Sequence, residues 1–304
     1  MKVNKKRLCL VSSLTLLTIF IIFASAKIYN SLTDGFNLYN ITSEFSFRED
    51  INFPQPPDKK LESINHILHQ KFTYLGRGAQ SYAFVSEDQN YVLKIVKQKH
   101  HKFNIFERIF FSLPFTENWK DQKLKKKELR VKNFLHSCKL CYEELFNETY
   151  LQYLHLTPTN NLLHKTSITD KLGFLYEIDL DQTEFVLQSK AEGMIAKINS
   201  LIEENDFKAA QESVQKIVKL LTKCCKKNIV DNDTAIIKNV GFINGKAIFM
   251  DIGQLSKNEN IKKLEVYKEY IERRIDLINT WIKTYFPQLK TIQYNEISTE
   301  FSEL

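Results

Sequence analysis

The sequence predicts an α+β protein in which an antiparallel sheet precedes a mainly helical half, behind an amino-terminal hydrophobic helix. Three observations predict this order. Residues 72–96 contain short runs of aromatic and β-branched residues with a period of two, which is typical of strands. Residues 195–227 carry apolar side chains at helical spacing, which indicates amphipathic helices. Residues 8–26 form an uncharged apolar run, which is typical of a signal peptide or a membrane anchor.

Composition excludes several classes of protein. The chain has 304 residues, of which 43% are hydrophobic and 12% aromatic, with only 8 Gly and 6 Pro. It can therefore bury a core, and it is neither collagen-like nor mainly disordered. The formal net charge is +7, and four of these charges come from residues 1–26. The remaining excess is ordinary, so we expect no nucleic-acid partner.

Residues 1–26 are predicted to be a signal peptide or a transmembrane anchor. A basic flank precedes the apolar run of residues 8–26, which ends in Ala24-Ser25-Ala26, the small-x-small form of a signal-peptidase site. If the segment is not cleaved, a helix of its nineteen residues is long enough to cross ~30 Å of hydrocarbon, at a rise of ~1.5 Å per residue. In both cases the chain after Lys27 is translocated. We expect either a single-pass membrane protein with a cytoplasmic amino terminus or a secreted protein. The third alternative is that residues 8–26 form a helix buried in the folded domain.

The next segment, residues 27–60, is predicted to be an extended spacer. It is polar and ends in Phe53-Pro54-Gln55-Pro56-Pro57, which cannot continue a helix. The folded region should begin near Leu61, with a short helix over residues 61–68 whose apolar members are helically spaced.

From there the period changes to that of strands and then back to that of helices. We predict two parts, residues 61–190 with a sheet and a basic helical insertion, and residues 191–304, which are mainly helical. The predicted strands are residues 72–75, 81–86 and 91–96, which form an antiparallel meander, and then residues 151–156, 173–180 and 184–187.

Residues 97–145, which make up the insertion, are basic and helical, and positive charge is nearly continuous from Lys123 to Lys127. A solvated helix face explains these lysines; a surface for an anionic lipid or substrate is the alternative.

The cysteines are predicted to be core residues. Cys138 and Cys141 form one pair and Cys224 and Cys225 another, both in helical stretches, where Cys serves as a small apolar residue. A zinc site is the alternative, but such a site normally has two separated C-x-x-C motifs.

A hairpin is predicted around Asn244-Gly245, because Asn-Gly between two apolar runs suits a type I′ turn. In this register Asn239 falls opposite Met250, one residue from Asp251. An amide and a carboxylate thus meet at the open end of the hairpin. Two oxygen ligands of this kind suit Mg²⁺, which is usually held by a few protein oxygens and by substrate phosphates.

Two glycines upstream indicate a phosphate-binding turn. Gly76 and Gly78 fall between the first two predicted strands, where backbone N–H groups can approach phosphate oxygens. Lys94 on the third strand can supply a positive charge. Each feature also has a plain structural explanation, as a turn glycine or a solvent-facing lysine.

Taken in order, these elements resemble the protein-kinase-like superfamily over residues 72–253. Four motifs carry the resemblance: Leu75-Gly76-Arg77-Gly78-Ala79-Gln80-Ser81 looks like the Gly-rich loop, Tyr91-Val92-Leu93-Lys94 like the V-A-I-K strand, Ile229-Val230-Asp231-Asn232-Asp233 like the catalytic loop, and Met250-Asp251-Ile252-Gly253 like D-F-G. The resemblance implies a two-lobed fold, with an antiparallel-sheet amino-terminal lobe, a small helical carboxy-terminal lobe and a hinge at residues 184–189.

The resemblance also implies roles for individual residues. It assigns ATP binding to Gly76, Gly78, Ser81 and Lys94, and Mg²⁺ binding to Asn239 and Asp251. Asp233 would be the catalytic base.

Several positions depart from the family pattern. Asp231 and Asn232 replace the His and Arg of H-R-D, and one extra residue separates Asp233 from Asn239. Asp231 is therefore a second candidate for the base. Ser81 stands where the third glycine would fall. The glutamate that would pair with Lys94 stays open among three residues of the basic helical segment: Glu128, Glu143 and Glu144.

The carboxy-terminal part is short for a protein kinase, since 51 residues follow Gly253 and no A-P-E motif is present. In this respect the chain is similar to bacterial lipopolysaccharide kinases and other small-molecule kinases. We expect a membrane-associated or secreted kinase-like protein that transfers phosphate from ATP, with Mg²⁺, to an unknown hydroxyl acceptor. The alternatives are a catalytically inactive, membrane-tethered pseudokinase that acts as an interaction module, and a secreted, purely structural α/β domain.

Overall fold

The computed structural model describes residues 5–45, 53 and 56–292, and it confirms an α+β protein with an amino-terminal apolar helix. The helices are α1 Lys5–Leu32, α2 Leu38–Ile41, α3 Asp58–Leu68, α4 Ile105–Phe110, α5 Glu117–Glu144, α6 Phe146–Thr149, α7 Met194–Glu203, α8 Phe207–Lys226, α9 Ile236–Asn239 and α10 Leu264–Tyr285. The strands are β1 Phe72–Arg77, β2 Ser81–Ser86, β3 Tyr91–Val96, β4 Leu151–His155, β5 Thr166–Thr169, β6 Leu175–Ile178, β7 Phe185–Ser189, β8 Glu192–Gly193, β9 Ile229–Asp231, β10 Val240–Ile243, β11 Lys246–Phe249 and β12 Leu255–Lys257.

The main sheet has seven strands in the order β4-β7-β3-β2-β1-β5-β6. The predicted meander is confirmed, because β1, β2 and β3 pair antiparallel in chain order. The sheet is nevertheless mixed rather than purely antiparallel, since β5 pairs with β1 in parallel. The short run of residues 166–169 carries too little apolar alternation to predict β5. The strand predicted at residues 173–180 is confined to β6.

Two hydrophobic clusters occupy the two faces of the sheet. Phe84 and Leu93 belong to the cluster beneath α2 and α3, whereas Val96 and Val186 belong to the larger cluster with α5, α8 and α10. Because side chains alternate along a strand, one sheet can serve both clusters. The second cluster joins the sheet to the helical half of the chain and forms the floor of the site described below.

Cys138, Cys141, Cys224 and Cys225 are buried and unbridged. Burial raises the pKa of the Cys141, Cys224 and Cys225 thiols, so these groups stay neutral and fill the core. The described residues contain no group of three or more His, Cys, Asp or Glu side chains placed to hold a metal ion.

Helix α1 contains a 20-residue stretch, Ser13–Leu32, that is long and apolar enough to cross a membrane. Signal sequences and anchors share this property. The helix continues past Ala26 to Leu32, so residues 27–32 are helical and not an extended spacer, because they contain no Pro or Gly to end the helix. Helix α2 lies wholly within residues 27–60, and α3 begins in the same range, at Asp58. Of the proline-rich run at residues 53–57, residues 54 and 55 lie outside the described residues.

The predicted hairpin forms with the predicted register. Strands β10 and β11 pair antiparallel, with Ile243 opposite Lys246. The two turn residues, Asn244 and Gly245, have φ values of 49° and 74°, as a type I′ turn requires.

Candidate functional site

A cavity of about 430 Å³ lies between the sheet and the helical half. Six separate stretches of the chain line it. The predicted site residues among them are Gly78, Ser81, Lys94, Asp233, Asn239 and Asp251. Gly76 and Asp231 do not line the cavity, although each adjoins residues that do.

Lys94 lies at the back of this cavity. It is on β3, opposite Ala83 of β2 and Val186 of β7. Its ammonium group donates to Gln188 Oε1 at 2.6 Å and also to the carbonyl oxygen of Met250. Burial lowers the pKa of Lys94, and the Asp251 carboxylate opposes that effect. The site thus holds a buried lysine close to a carboxylate, and an anionic ligand beside it would favour the charged form of the lysine.

Gln188 is a site residue that the sequence analysis did not single out. Its buried amide nitrogen donates to the carbonyl oxygens of Thr149 at 2.8 Å and Phe249 at 3.4 Å. These bonds leave its Oε1 directed at Lys94. A polar amide in the otherwise apolar run Phe185-Val186-Leu187 was the available signal, since a buried amide needs several partners.

None of the three candidate glutamates on α5 is bonded to Lys94. Glu128 pairs with Lys132 at 3.0 Å, Glu143 with Lys139 at 3.9 Å, and Glu144 with Lys257 at 2.5 Å. The buried side of α5 is mainly apolar, with Val131, Phe134, Leu135 and Cys138 in the core. The α5 face turned to the cavity therefore supplies packing, and the described partners of Lys94 are an amide and a carbonyl.

Asn239 and Asp251 meet at the open end of the β10–β11 hairpin, as predicted. The carbonyl oxygen of Asn239 accepts hydrogen bonds from the backbone N–H of Met250 at 2.7 Å and of Asp251 at 3.3 Å. Asp251 Oδ1 also accepts from the Gly253 N–H at 3.0 Å. Both side chains line the cavity. An amide oxygen and a carboxylate are hard donors, so this pair fits Mg²⁺.

Asp233 and Asp231 have different surroundings. Asp233 lines the cavity, and its two oxygens accept from the Ala235 N–H at 2.9 Å and from Gln254 Nε2 at 3.2 Å. Asp231 is buried on β9, which pairs with β12 where the sequence indicated only a loop. One of its oxygens accepts from the Asp233 N–H at 2.9 Å, and the other is buried without a hydrogen bond. Of the two candidates for the base, Asp233 is the one exposed to the cavity.

Arg274 on α10 holds this loop in place and was not predicted. Its guanidinium donates to the carbonyl oxygens of Asp231 and Asp233, and the side chain is buried. The sequence signal is a single arginine on the buried face of an amphipathic helix.

The Asp231 carboxyl makes the fold sensitive to pH. Burial raises its pKa from 3.8 to about 6. Between these two values the folded protein binds the proton that the unfolded chain has released, so the stability contributed by this group is fully present below about pH 4 and is lost as the pH rises to about 6. With Mg²⁺ removed by a chelator, we expect this group to lower the free energy of unfolding by about 3 kcal/mol between pH 4 and 7.

Denaturant unfolding of Asp231→Asn across this pH range tests the effect. The variant should lack that part of the pH slope, because its amide does not titrate, while Asp276→Asn, at an exposed position of α10, should keep it. An unchanged slope in Asp231→Asn would contradict the assignment.

The loop between β1 and β2 is tightly folded. Its Gly78 N–H donates to the Ser81 carbonyl at 2.9 Å, and its Gly78 carbonyl accepts from the Lys97 ammonium. Gly76 lies at a bulge of β1 instead. Lys97, a second cation that the sequence analysis passed over, lies 4.5 Å from the centre of the Tyr82 ring. Burial, with help from neighbouring positive charges, lowers its pKa to about 8.

This loop contacts the segment that carries Asp251. The Gln80 Oε1 atom is buried without a hydrogen-bond partner, and it lies 2.6 Å from where a Cβ on Gly253 would be. Gly253 therefore leaves room for Gln80 to close one side of the cavity. This contact gives a physical reason for glycine in Met250-Asp251-Ile252-Gly253.

Comparison with known proteins does not identify a family. No protein-family model and no curated protein matches the chain. A solved structure, the complex of Rv3197 with erythromycin from Mycobacterium tuberculosis, matches 97% of this chain and 80% of that chain, at 11% identity and a TM-score of 0.33. A likeness at this level carries no argument, so the function is argued from the residues of the site.

Proposed function

We propose that this chain is a kinase-like phosphotransferase, associated with a membrane or secreted, that uses ATP and Mg²⁺ to phosphorylate a hydroxyl acceptor. One observation carries the proposal: a single cavity collects Gly78, Lys94, Asp233, Asn239 and Asp251 from segments spread over most of the chain. Its volume of about 430 Å³ falls in the usual range for small-molecule sites, roughly 300–1,000 Å³.

The proposed fold is the two-lobed kinase-like one. Strands β1, β2, β3, β4 and β7 would form the amino-terminal lobe with α5, and the helical half would form the second lobe. The position of the cavity between these two parts, with β7 as the last strand of the main sheet before α7, supports this division. Strands β5 and β6 would be an addition at one edge of the first lobe.

Each residue has a role that follows from its surroundings. The buried ammonium of Lys94 would bind phosphate oxygens, because an anion compensates its lost hydration. Asn239 and Asp251 would hold Mg²⁺, which when bound neutralises charge on the phosphates. Asp233 would take the proton of the acceptor hydroxyl. The hydroxyl oxygen of the acceptor would then bond to the γ-phosphorus as the bond from that phosphorus to ADP breaks. Gln188 would keep Lys94 in position.

A specific observation favours the pseudokinase alternative. Lys94 donates to the Met250 carbonyl and to Gln188 and has no carboxylate from α5 as a bonded partner. If this arrangement persists when nucleotide is present, the chain would act as a membrane-tethered interaction module without turnover.

Thermal unfolding of the full chain in detergent, with and without Mg²⁺ and ATP, tests the nucleotide site. A ligand at 100 times its Kd stabilises the folded state by about 2.7 kcal/mol, so we expect the melting temperature to rise by several degrees. Lys94→Met and Asp251→Asn should lose this rise, because they remove the phosphate-binding charge and a metal ligand.

The matched controls are Lys283→Ala and Asp276→Asn, at exposed positions of α10, and both should keep the rise. A folded wild-type protein with no rise, or a rise that persists in Lys94→Met and Asp251→Asn, would contradict the nucleotide site. A rise without ADP formation would favour the pseudokinase.

A further inference from the structure

One end of the sheet gathers several chain segments that are rich in exposed apolar side chains. Strands β1 and β3 both pair antiparallel with β2, and β5 pairs parallel with β1. These three strands therefore run in the same direction, and their carboxyl ends lie at one end of the sheet. The turn after β5, the loop after β1 and the segment between β3 and α5 all start there. We call this end of the sheet, at the carboxyl ends of β1, β3 and β5, the anchor end.

Helix α1 ends at this same place. Asp34, two residues beyond α1, accepts hydrogen bonds from Tyr74 at 2.9 Å and from Lys171 at 3.1 Å, and it lies 3.6 Å from Arg77. Phe36 is buried against the sheet, with its ring centre 5.3 Å from that of Tyr82. The apolar helix is thus joined to the sheet by a short connection that is itself bonded to it. A membrane around α1 would lie next to the anchor end.

The segment between β3 and α5 has an exposed aromatic surface. Its exposed apolar residues are Phe106, Ile109, Phe110, Leu113 and Phe115, and Trp119 in the first turn of α5 extends the same surface. Phe106 is 83% exposed and Phe115 is 72% exposed. Soluble proteins rarely expose a large apolar patch unless the patch binds a partner or a membrane.

This surface is held in a defined conformation. Asn104 and Glu107 form a capping box at the start of α4, and the rings of Phe110 and Trp119 stack with centres 6.1 Å apart.

Two contacts place this aromatic segment beside the chain that leaves α1. Arg108 forms an ion pair with Glu44. Lys102 donates to the Thr42 carbonyl at 2.9 Å, and its ammonium lies 4.2 Å from the centre of the Tyr39 ring. On the other side of the anchor end, Leu172 and Phe174 of the turn after β5 and Leu175 at the start of β6 are exposed. Lys171 pairs with Asp34 and so joins this turn to the chain after α1.

Positive charge accompanies the aromatic segment. Counting along α5 from Trp119, Lys123, Lys126 and Arg130 follow at i+4, i+7 and i+11, so they share its side of the helix. Lys123 pairs with Glu107 at 2.5 Å, while Lys126 and Arg130 add positive charge on the same side. An aromatic surface next to a row of cations is complementary to the interface of a bilayer that contains anionic lipids.

We propose that the anchor end of the sheet lies against an anionic lipid bilayer, with the aromatic segment and the turn after β5 inserted into its interface on either side of α1. The arrangement gives the domain a fixed orientation on the membrane. The loop between β1 and β2, which borders the cavity, then lies on the membrane side. This inference rests on contacts outside the cavity and is independent of phosphoryl transfer.

The two tryptophans of the chain, Trp119 and Trp281, allow a direct test. Trp281 packs against Phe286 in the helical half, with ring centres 5.0 Å apart. The full chain is reconstituted in vesicles of phosphatidylcholine and phosphatidylserine that contain a phospholipid brominated in the upper acyl chain, which quenches nearby tryptophan. Trp281→Phe reports Trp119 alone, and Trp119→Phe reports Trp281 alone. We expect Trp119 emission to be quenched severalfold more strongly than Trp281 emission.

Two further variants and their control are made in the Trp281→Phe background, so that the emission comes from Trp119 alone. Phe115→Ser and Lys126→Glu change exposed residues and should each reduce Trp119 quenching, whereas Lys283→Glu on α10 should not. Omission of phosphatidylserine should also reduce it. Folding of each variant is checked by circular dichroism. If Trp119 in folded protein is quenched no more than Trp281, or only after a protein partner is added, the proposal is overturned.

Discussion

Asp233→Asn is expected to lower the rate of ADP formation by a factor of ~10²–10⁴, the usual contribution of a general base. The Asn side chain keeps the shape of Asp and can still accept the Ala235 N–H bond that positions Asp233, but it cannot take a proton. Because Asp233 is assigned no metal or phosphate, the thermal stabilisation by Mg²⁺ and ATP should survive. ADP formation is measured with water and with a panel of sugar and lipid hydroxyls as acceptors.

Asp231→Asn is the matched comparison. Its carboxyl is buried outside the cavity and accepts the Asp233 N–H, an interaction that an amide oxygen can replace. We expect its rate to stay within about tenfold of the wild type, a change of about 1.4 kcal/mol or less in the barrier. If the large loss occurs in Asp231→Asn and not in Asp233→Asn, the base is Asp231. Equal, small effects would indicate that neither carboxylate is a base.

Gly241→Ala is expected to destabilise the fold by about 3 kcal/mol, at the upper end for overpacking. A Cβ at this position would lie 2.6 Å from the Glu192 carbonyl oxygen and 2.8 Å from the Met250 sulfur. The carbonyl belongs to β8, which pairs with β10 at Gly193, so the backbone itself would have to move. Because Met250 precedes Asp251, the stabilisation by Mg²⁺ and ATP should weaken as well. The measurement is the denaturant midpoint of unfolding.

Gly193→Ala is its control on the neighbouring strand. A Cβ on Gly193 would be 3.6 Å from the terminal methyl of Met250, an ordinary van der Waals contact with a flexible side chain. At this helix N-cap position we expect a change of less than about 1 kcal/mol. Equal midpoints for the two variants would show that the β8–β10 contact is looser than described.

Local patterns in the sequence determined the elements that need only their own residues. The period of two in residues 72–96, the helical spacing in residues 195–227 and the turn residues Asn244-Gly245 each predict an element that the structure confirms. Such signals depend on the backbone preferences and the burial of neighbouring residues, which are encoded within about ten positions. The opposition of Asn239 to Met250 followed from the hairpin register alone.

Only the tertiary structure decided which distant residues meet. It places Gln188, and none of the three glutamates on α5, next to Lys94, and it places Gln80 against Gly253. It also adds the parallel pairing of β5 with β1 and the exposed aromatic surface beside the end of α1. These contacts join positions far apart in the chain, and their free energy comes from shared burial and paired polar groups rather than from local conformation. The spacing of residues along one sequence does not determine which distant residues come into contact, whereas the folded chain shows these contacts directly.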